Sequence, residues 1–535
     1  MCQHAPRAIA LAHGSAHDHD HAEWTRRDFL VRSGLAAVGG AALVGSTPVR
    51  AMARSPLVEA LRRADTDRVL VLVQLQGGND GLNTVIPLGN DLYHRARPSL
   101  AIAARDAIRF DDGRGFHASL APLRDLWDDG SFAVVQGVGY DEQDLSHFRG
   151  TDIWLTADPL DSAATSGWAG QVLAEQFPDL DTSPPSAPPA VQMGTSAPLL
   201  FEGDATGYGM AMLDVDVFLR LADGGDPYPT DDLPATAAGG QLGFVRRIAN
   251  DAFRYRDAIE AATSAGANAV EYPDADLGRE LAAVARLIKG RLGARIYLVK
   301  LGGFDTHADQ AAEHARLLAE LSGSLAAFFR DLGASGDAER VLAMTFSEFG
   351  RRVEENGSRG TDHGTAAPLF LAGPAAQGGF WGEDPDLSAL DAHGNLRHGV
   401  DFRQLYASVI QDWFGLDAAV AATVLGGVFD PLPVVARYGV GSGPAPGAAP
   451  LRLDPPRPNP LRGQGRISFV LPAGGSVTVD VFDVQGRVVA RLAEGVHAAG
   501  PHALTFDASS LPAGTYLVRL SAGGQTQTVQ ASVIR

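Results

Sequence analysis

The sequence predicts an α/β protein with a mostly parallel β-sheet and helices on both faces, followed by a small C-terminal antiparallel β-sandwich. Apolar strands alternate with helices of 3.6-residue periodicity over residues 68–416, a pattern typical of a buried parallel sheet. Beyond a stretch rich in Gly, Pro and Ala, short alternating strands indicate the sandwich. The length of 535 residues also favours more than one domain.

Residues 1–53 are predicted to be an export leader. Residues 25–30 (TRRDFL) form a twin-arginine signature, residues 34–44 are apolar, and Ala51-Met52-Ala53 fits a cleavage site. The apolar stretch is short and rich in glycine, whereas a transmembrane helix needs about 20 apolar residues. The alternating His and Asp at 17–21 favour a polar region of the leader over a metal site. We therefore predict export by the twin-arginine machinery to the periplasm, the cell surface or the medium, with no transmembrane helix in the mature protein.

Residues 54–440 are predicted to form the large domain. Its first strand, Arg68–Gln76, is a continuous apolar run that ends at Gly77-Gly78. The Pro- and Ser-rich stretch 179–198 is predicted to be an irregular surface excursion. The remaining predicted strands are Phe132–Gln136, Arg295–Leu301, Val341–Phe346 and Pro368–Leu371, and the predicted helices are Phe244–Ala262, Leu277–Leu292, Gln310–Leu332 and Asp401–Phe414.

A linker is predicted at residues 441–460 and the sandwich at 461–535. The tail motifs at 458–460 (PNP), 481–487 (VFDVQGR) and 511–516 (LPAGTY) resemble FlgD-type immunoglobulin-like tails. Similar tails act as sorting signals in bacterial type IX secretion, so the resemblance implies sorting to the outer membrane or attachment to the cell surface. A plain adhesive or spacer module is the alternative. The predicted strands are Arg466–Leu471, Ser476–Asp483, Arg487–Leu492, His502–Phe506, Gly514–Ser521 and Gln525–Val533.

The composition excludes several classes of function. The net charge is −19, with 63 acidic and 44 basic residues, which disfavours nucleic-acid binding because that binding depends on cationic side chains. The single cysteine, Cys2, lies in the leader. The mature protein therefore has no disulfide, thiolate metal ligand or cysteine nucleophile.

Polar side chains follow each apolar strand of the large domain, where α/β sheets bind ligands. Asp80 follows the first strand, Ser146 the second, Asp305 and His307 the third, and Asp362 and His363 come after the fourth. Asp and His together suit a divalent ion, Zn²⁺, Mn²⁺ or Mg²⁺, with Zn²⁺ or Mn²⁺ favoured. A serine beside such an ion is a candidate nucleophile.

Each candidate has a structural alternative. Asp80 fits a turn or helix cap, and Asp309 fits a cap of the helix that begins at Gln310. Ser146 fits the N-cap of the helix that contains Trp154. Glu348, Arg351 and Arg352 are candidates for the site, the arginines as anion contacts, or for surface ion pairs. His393 and His398 are candidates for a late ligand or for solvated loop residues.

The segments 77–87, 146–154, 302–307, 347–364 and 401–413 resemble the bacterial domain-of-unknown-function family 1501, and the resemblance spans roughly residues 68–416. That family is thought to share the fold of the alkaline-phosphatase superfamily of phosphatases, sulfatases and phosphoglycerate mutases. The lack of a mature cysteine excludes the cysteine-type sulfatases, whose cysteine matures to formylglycine.

The resemblance implies metal ligands and a nucleophile in this chain. Asp80 would be the first ligand, Ser146 the nucleophile, Asp305 with His307 a ligand pair, and Asp362 with His363 the adjacent ligands. The chain departs from the superfamily pattern in two ways. One residue separates Asp305 from His307 where three are usual, and the last histidine of the pattern has no clear counterpart. These departures leave open a one-metal site or an inactive one.

We therefore expect an exported metal-dependent hydrolase of phosphate or sulfate esters, with Ser146 as the attacking group and Arg351 steadying the anion. The alternative is a non-catalytic exported binding or cell-surface protein on the same scaffold, because fold does not determine function. A third hypothesis is a polysaccharide-binding surface, for which core packing is the simpler explanation. Its candidate aromatic residues are Trp154, Trp168, Phe380 and Trp381.

Overall fold

The structure is a computed structural model that divides into two compact units, residues 1–436 and 437–535. It describes residues 67–436 apart from 110–113, 181, 195–198, 205, 224, 226, 231 and 235. In the second unit it describes 452–533 apart from 454–455, 457–460, 462, 472–474, 483–486, 498–499, 510, 513 and 523–524. In the leader it describes only the short strands Ala36–Val38, Ala41–Val44 and Thr47–Pro48, which pair antiparallel.

A nine-stranded sheet forms the centre of the first unit. Its spatial order is β4-β3-β5-β1-β6-β7-β2-β8, with β9 also paired to β2. In chain order the strands are β1 (Val69–Gln76), β2 (Phe132–Gly139), β3 (Ala190–Met193), β4 (Gly209–Met212), β5 (Ile296–Gly302), β6 (Val341–Phe346), β7 (Ala367–Ala372), β8 (Gly379–Trp381) and β9 (Val400–Asp401).

Strand β7 alone runs against the other strands of this described sheet. It pairs antiparallel with β6 and with β2, whereas every other pairing is parallel. Ala367, at the start of β7, lies opposite Val138, near the end of β2. The residues that precede β7 therefore lie at the same sheet edge as the residues that follow β1, β2, β5 and β6.

Helices cover both faces of the sheet, as predicted. The side chains of β1 alternate between two cores, with Val71 and Val73 in one and Leu70 and Leu72 in the other. The first core also contains residues of α3 (Ala237–Ala265), α4 (Asp276–Lys289) and α5 (Gln310–Ser335). The second contains residues of α1 (His147–Thr156), α2 (Trp168–Gln176) and α6 (Phe402–Ser408). The fold-class prediction is confirmed, and the predicted strands and helices are found with small shifts at their ends.

The prediction for residues 179–198 is wrong in part. Ala190–Met193 forms β3, which is fully buried between β4 and β5. The neighbouring prolines and serines conceal this strand because it is only four residues long. Before this strand the chain makes a turn, in which the Ser183 N–H donates to the Asp179 carbonyl at 2.7 Å.

Shorter elements complete the described part of the first unit. The short helices are Gly81–Thr84, Asp91–Ala96, Ala118–Leu123, Arg124–Asp128, Leu199–Phe201, Val215–Leu221, Ala338–Arg340 and Ala418–Val424, with a π-helical turn at Val409–Trp413. A small sheet consists of Val85–Ile86, Ala107–Arg109 and Gly115–His117. The strands Gly350–Arg351 and His363–Gly364 pair with each other. The π turn continues α6, so the predicted helix at 401–414 changes hydrogen-bond register over its second half.

The second unit is built from two antiparallel sheets around a core of its own. Its strands are β10 (Arg452–Leu453), β11 (Gln464–Leu471), β12 (Gly475–Phe482), β13 (Val488–His497), β14 (Gly500–Asp507), β15 (Gly514–Ala522) and β16 (Gln525–Val533), in the orders β10-β11-β14 and β13-β12-β15-β16. The antiparallel tail is therefore confirmed. Strand β10 lies within the predicted linker yet pairs with β11.

The twin-arginine signature and the cleavage motif lie outside the described residues. Among the helices that the structure describes, none combines the length and the apolar character that crossing a membrane requires.

Candidate metal centre

Four loops meet at the edge of the sheet where β1, β2, β5 and β6 end. Gly77 makes a close approach between two of them, because a Cβ at this position would lie 2.3 Å from the backbone nitrogen of Asp305. Its φ of +117° is also one that residues with side chains rarely adopt. The Gly-Gly pair that ends β1 thus lets the loop after β5 pack against the loop after β1.

His147, Asp305 and His363 converge at this edge, with one potential ligand atom of each within 4.8 Å of the others. Asp305 Oδ1 lies 3.0 Å from His363 Nε2, and Asp305 Oδ2 lies 3.3 Å from His147 Nε2. All three side chains are partly exposed, so the cluster is open to solutes.

His307 extends this cluster. Its Nε2 lies 3.0 Å from Asp305 Oδ1 and 3.1 Å from His363 Nε2. The Nε2 atoms of three imidazoles therefore lie within 3.3 Å of the Asp305 carboxylate oxygens.

Each of these histidines is held from outside through its other ring nitrogen. Nδ1 of His147 lies 3.0 Å from Glu348 Oε1, and Nδ1 of His307 lies 3.1 Å from Asp362 Oδ1. Nδ1 of His363 lies 2.9 Å from the carbonyl oxygen of Leu145. A carboxylate or carbonyl at Nδ1 fixes the proton there, which leaves the lone pair of Nε2 directed inward.

This arrangement is unfavourable without a cation at its centre. The Nε2 atoms of His307 and His363 are 3.1 Å apart, and each also faces Asp305 Oδ1 at 3.0 Å. When all three atoms present lone pairs, no proton lies between them and they repel one another. A divalent cation or a protonated imidazole removes that repulsion. The nitrogen and oxygen donors fit Zn²⁺ or Mn²⁺.

Asp305 stays ionised at the centre of the cluster. Its partial burial opposes ionisation, but the hydrogen bond and the charge of Arg351 outweigh burial and lower the pKa of Asp305 to about 2. The carboxylate is therefore available as an anionic ligand throughout the neutral range.

Arg351 holds Asp305. The sequence predicted that Arg351 would contact an anion, but its side chain does not face outward. Its side chain is 2% exposed, and Nη2 lies 2.7 Å from Asp305 Oδ1 and 2.9 Å from the Phe304 carbonyl. Nη2 also donates to Gly77 O, while Nε and Nη1 donate at 2.8 Å to Gly78 O and Thr361 O. The guanidinium thus contacts four backbone carbonyls and one carboxylate, and its role as an anion contact stays a prediction.

Glu348 is fully buried beside the cluster, a position that the sequence left open. Its Oε1 accepts the backbone N–H of Gly77 at 2.8 Å in addition to its contact with His147. Its Oε2 has no hydrogen-bond partner among the described residues. One carboxylate thereby connects the loop after β1 to the first residue of α1.

Asp80 lies apart from the converging ligand atoms. It is 1% exposed and pairs through Oδ2 with Arg97 Nη1 at 2.6 Å and with Gln310 Nε2 at 2.5 Å. Burial opposes ionisation, yet the charge and hydrogen bond of Arg97 lower the pKa of Asp80. Its role as a metal ligand stays a prediction. Asp362 likewise faces Nδ1 of His307 and Asn356 rather than the centre.

Ser146 lies between two residues that contact the cluster, since the Leu145 carbonyl meets His363 and His147 belongs to the cluster. It is the N-cap residue of α1, but its side chain caps no backbone N–H and is exposed. Its role as nucleophile stays a prediction.

His147 is the site residue that sequence reasoning missed. It directly follows Ser146, and its imidazole at the exit of β2 was a signal of the same kind as His307 and His363. Of the late candidates, His393 is exposed and His398 lies 3.9 Å from Asp141. The polysaccharide surface is not supported for Trp154 and Trp168, because both are buried and stack within the core.

Two known families match parts of this sequence. Residues 233–427 match the family model described as protein of unknown function DUF1501, and residues 458–535 match the secretion system C-terminal sorting domain. Among curated proteins, none matches this chain.

Several solved structures resemble the chain at low identity. A sulfatase from Pseudoalteromonas sp. is 10% identical over 86% of this chain and 87% of its own, with a TM-score of 0.29. A protein in the alkaline phosphatase superfamily from Vibrio parahaemolyticus is 10% identical over 88% and 83%, with a TM-score of 0.31. A phosphonate monoester hydrolase from Silicibacter pomeroyi is 10% identical over 88% and 89%, with a TM-score of 0.26. Scores this low transfer no activity.

The family that the sequence motifs predicted is thus confirmed. Residues 233–427 match the DUF1501 family model and residues 458–535 match the secretion system C-terminal sorting domain, the two resemblances that the sequence motifs predicted.

Proposed function

We propose that this protein is an exported, metal-dependent hydrolase of phosphate or sulfate esters. One observation supports it above the others. Nε2 atoms of three histidines converge on the Asp305 carboxylate, while their Nδ1 atoms meet outer acceptors. Histidines that bind metals in proteins have this same outer support.

The charge of the ligand set fits an anionic substrate. Three neutral imidazoles and one carboxylate give −1, so a divalent cation leaves the centre at +1. Such a cation, when bound, polarises an ester oxygen and lowers the pKa of an adjacent hydroxyl or water. The positive centre favours an oxyanion ester over a neutral one, and the partly exposed side chains leave room for it to approach.

Ser146 is the proposed nucleophile. Its oxygen would form a bond to phosphorus or sulfur as the bond to the leaving alcohol breaks, and water would then release the acid from the serine. The backbone N–H groups of His147, Phe148 and Arg149 at the start of α1 have no acceptor among the described residues. They supply donors beside Ser146 where negative charge develops.

Asp80 and Asp362 support the proposed site from outside it. Asp362 holds His307 through Nδ1, and Asp80 anchors a buried hydrogen-bond network behind the ligands. We propose a single metal ion bound by His147, Asp305, His307 and His363, in place of the ligand set that the superfamily pattern implies.

We also propose that the protein leaves the cytoplasm by the twin-arginine route and reaches the cell surface or the medium. The sorting-domain match at residues 458–535 supports an encounter between this tail and an outer-membrane sorting machinery. The substrate is then an ester outside the cytoplasm, either a small molecule or a polysaccharide.

Metal content and ester hydrolysis together test the function. We would purify the mature protein with His147→Ala, His363→Ala and Ser146→Ala variants and use His393→Ala, an exposed histidine, as the control. Each protein is assayed for bound metal and for turnover of an aryl phosphate and an aryl sulfate.

We expect about one equivalent of Zn²⁺ or Mn²⁺ in the wild type and in the Ser146→Ala and His393→Ala variants. Both ligand variants should lose the metal and the turnover, and Ser146→Ala should lose turnover alone. Metal without turnover would favour the alternative, an exported binding protein. No metal in the wild type, even after Zn²⁺ and Mn²⁺ are added, would refute the proposal.

A further inference from the structure

We propose that Gln310 is a positioning residue that holds together the two loops that supply Asp305, His307 and His363. Gln310 is the first residue of α5 and is fully buried. It bears no charge, contacts no predicted substrate and would ordinarily be regarded as part of the core. The inference rests on the metal centre of the proposed function.

The side-chain amide oxygen of Gln310, Oε1, joins two segments that are distant in sequence. It accepts hydrogen bonds from Thr306 Oγ1 at 3.1 Å and from Thr361 Oγ1 at 2.6 Å. Thr306 lies between Asp305 and His307, and Thr361 precedes Asp362 and His363. A single amide oxygen thus fixes the loop that follows β5 and the loop that leads into β7.

The orientation of this amide is determined by its other end. Its NH₂ group donates to Asp80 Oδ2, and Arg97 Nη1 donates to the same oxygen at 2.6 Å. A carboxylate that is paired with Arg97 only accepts hydrogen bonds, so the amide nitrogen must face Asp80 and the amide oxygen must face the threonines. This order gives the buried Asp80–Arg97 pair a role in orienting Gln310.

Thr361 depends on Gln310 more than Thr306 does. The hydroxyl of Thr361, a fully buried residue, has Gln310 as its acceptor, whereas Thr306 Oγ1 also lies 3.3 Å from the Phe304 carbonyl. The backbones meet as well, with Thr361 N–H donating to Thr306 O at 3.2 Å. Two further backbone bonds cross the same junction, from Asp309 N–H to Ser358 O and from Gln310 N–H to Arg359 O, both at 3.0 Å, and the Gln310 amide adds the side-chain bonds to it.

The loss of this amide should loosen the metal ligands relative to one another. His307 Nε2 and His363 Nε2 come from the two joined loops and are 3.1 Å apart. Outer residues that orient metal ligands typically contribute 10- to 100-fold in affinity. We therefore expect Gln310→Leu to weaken Zn²⁺ binding by at least about tenfold.

The test compares Gln310→Leu and Thr361→Val with Ser322→Ala. Ser322 lies on the same helix and is buried, and its hydroxyl donates to the Ser119 carbonyl at 2.6 Å. Removing that hydroxyl costs a buried hydrogen bond away from the ligands, so it controls for a general loss of stability. Zn²⁺ affinity is measured by competition with a chromophoric chelator, and the visible absorption of the Co²⁺-loaded protein reports the coordination geometry.

We expect Gln310→Leu to lower Zn²⁺ affinity and to alter the Co²⁺ spectrum. Thr361→Val should also lower Zn²⁺ affinity and alter the spectrum. The double variant should bind Zn²⁺ about as weakly as Gln310→Leu alone. Ser322→Ala should keep wild-type affinity within twofold. If Gln310→Leu binds Zn²⁺ within twofold of the wild type, this inference is overturned but the proposed function is not. If Gln310→Leu does not fold, unchanged Zn²⁺ binding in Thr361→Val overturns the inference instead. A wild type that binds no metal overturns both proposals.

Discussion

Replacing Arg351 by lysine should destabilise the first unit severely although the charge is kept. The guanidinium donates to five acceptors, four of them backbone carbonyls from three loops. A lysine ammonium has three N–H donors at the end of a flexible chain and cannot reproduce the planar fork.

The magnitude follows from the acceptors that are left without donors. Lysine can reach at most three of the five, so at least two buried acceptors lose a hydrogen bond at roughly 1–3 kcal/mol each. The expected loss is about 2–6 kcal/mol, a large part of the 5–15 kcal/mol that typically stabilises a domain. Asp305 also loses part of its fixed support, so metal affinity should fall with stability.

Urea unfolding followed by tryptophan fluorescence measures this loss, because the second unit contains no tryptophan and the signal reports the first unit. Arg352→Lys is the matched control, since the Arg352 side chain is only partly buried and donates from Nη2 to the His393 carbonyl. It should cost less than about 1 kcal/mol. Equal unfolding free energies for Arg351→Lys and the wild type would show that the Arg351 hydrogen bonds do not stabilise the first unit.

Two further predictions concern the stability of the first unit. Gly77→Ala should lower the free energy of unfolding by about 3 kcal/mol or more, because its Cβ would lie 2.3 Å from the Asp305 nitrogen at a φ of +117°. Gly89→Ala is the control and should change it little, because the space around that Cβ is open. Equal unfolding free energies for the two variants would contradict the close packing of these loops. Burial raises the pKa of Glu280 from 4.5 to about 7, so the folded state binds this proton more tightly than the unfolded state, and the wild type should lose stability relative to Glu280→Gln as the pH rises from 4.5 to 7. The loss is at most about 3 kcal/mol. Glu280→Gln should remove it. If the unfolding free energies of the two proteins change in parallel with pH, the reasoning is wrong.

The strands that sequence patterns predicted best are those whose environment is simplest. β1, β5 and β6 are buried on both faces, so continuous apolar runs mark them. β3 escaped prediction because four residues between prolines have no periodicity to detect. The direction of β7 depends on its neighbours β6 and β2, which no local pattern encodes.

The site was predicted in part for a related reason. Residues that follow parallel strands must gather at one edge, and this brought Asp305, His307 and His363 into the prediction. Asp80 satisfied the same rule, but Arg97, 17 residues further along, pairs with it in the core. The sequence could not reveal this pairing, because it depends on a contact formed only in the folded chain.

Strand β7 constrains when the metal centre can form during synthesis. In the described sheet β2 pairs with β7, β8 and β9, all of which follow residue 366 in the chain. Until β7 leaves the ribosome, β2 lacks the strand that connects it to β6 in the sheet, and the exit of β2, which carries His147, is not held by the sheet beside Asp305. Non-local pairings of this kind form late. Loading of the proposed metal site then requires the completed first unit, because a nascent or truncated chain that ends before β7 lacks the strand that places His147 beside the other three residues of the site.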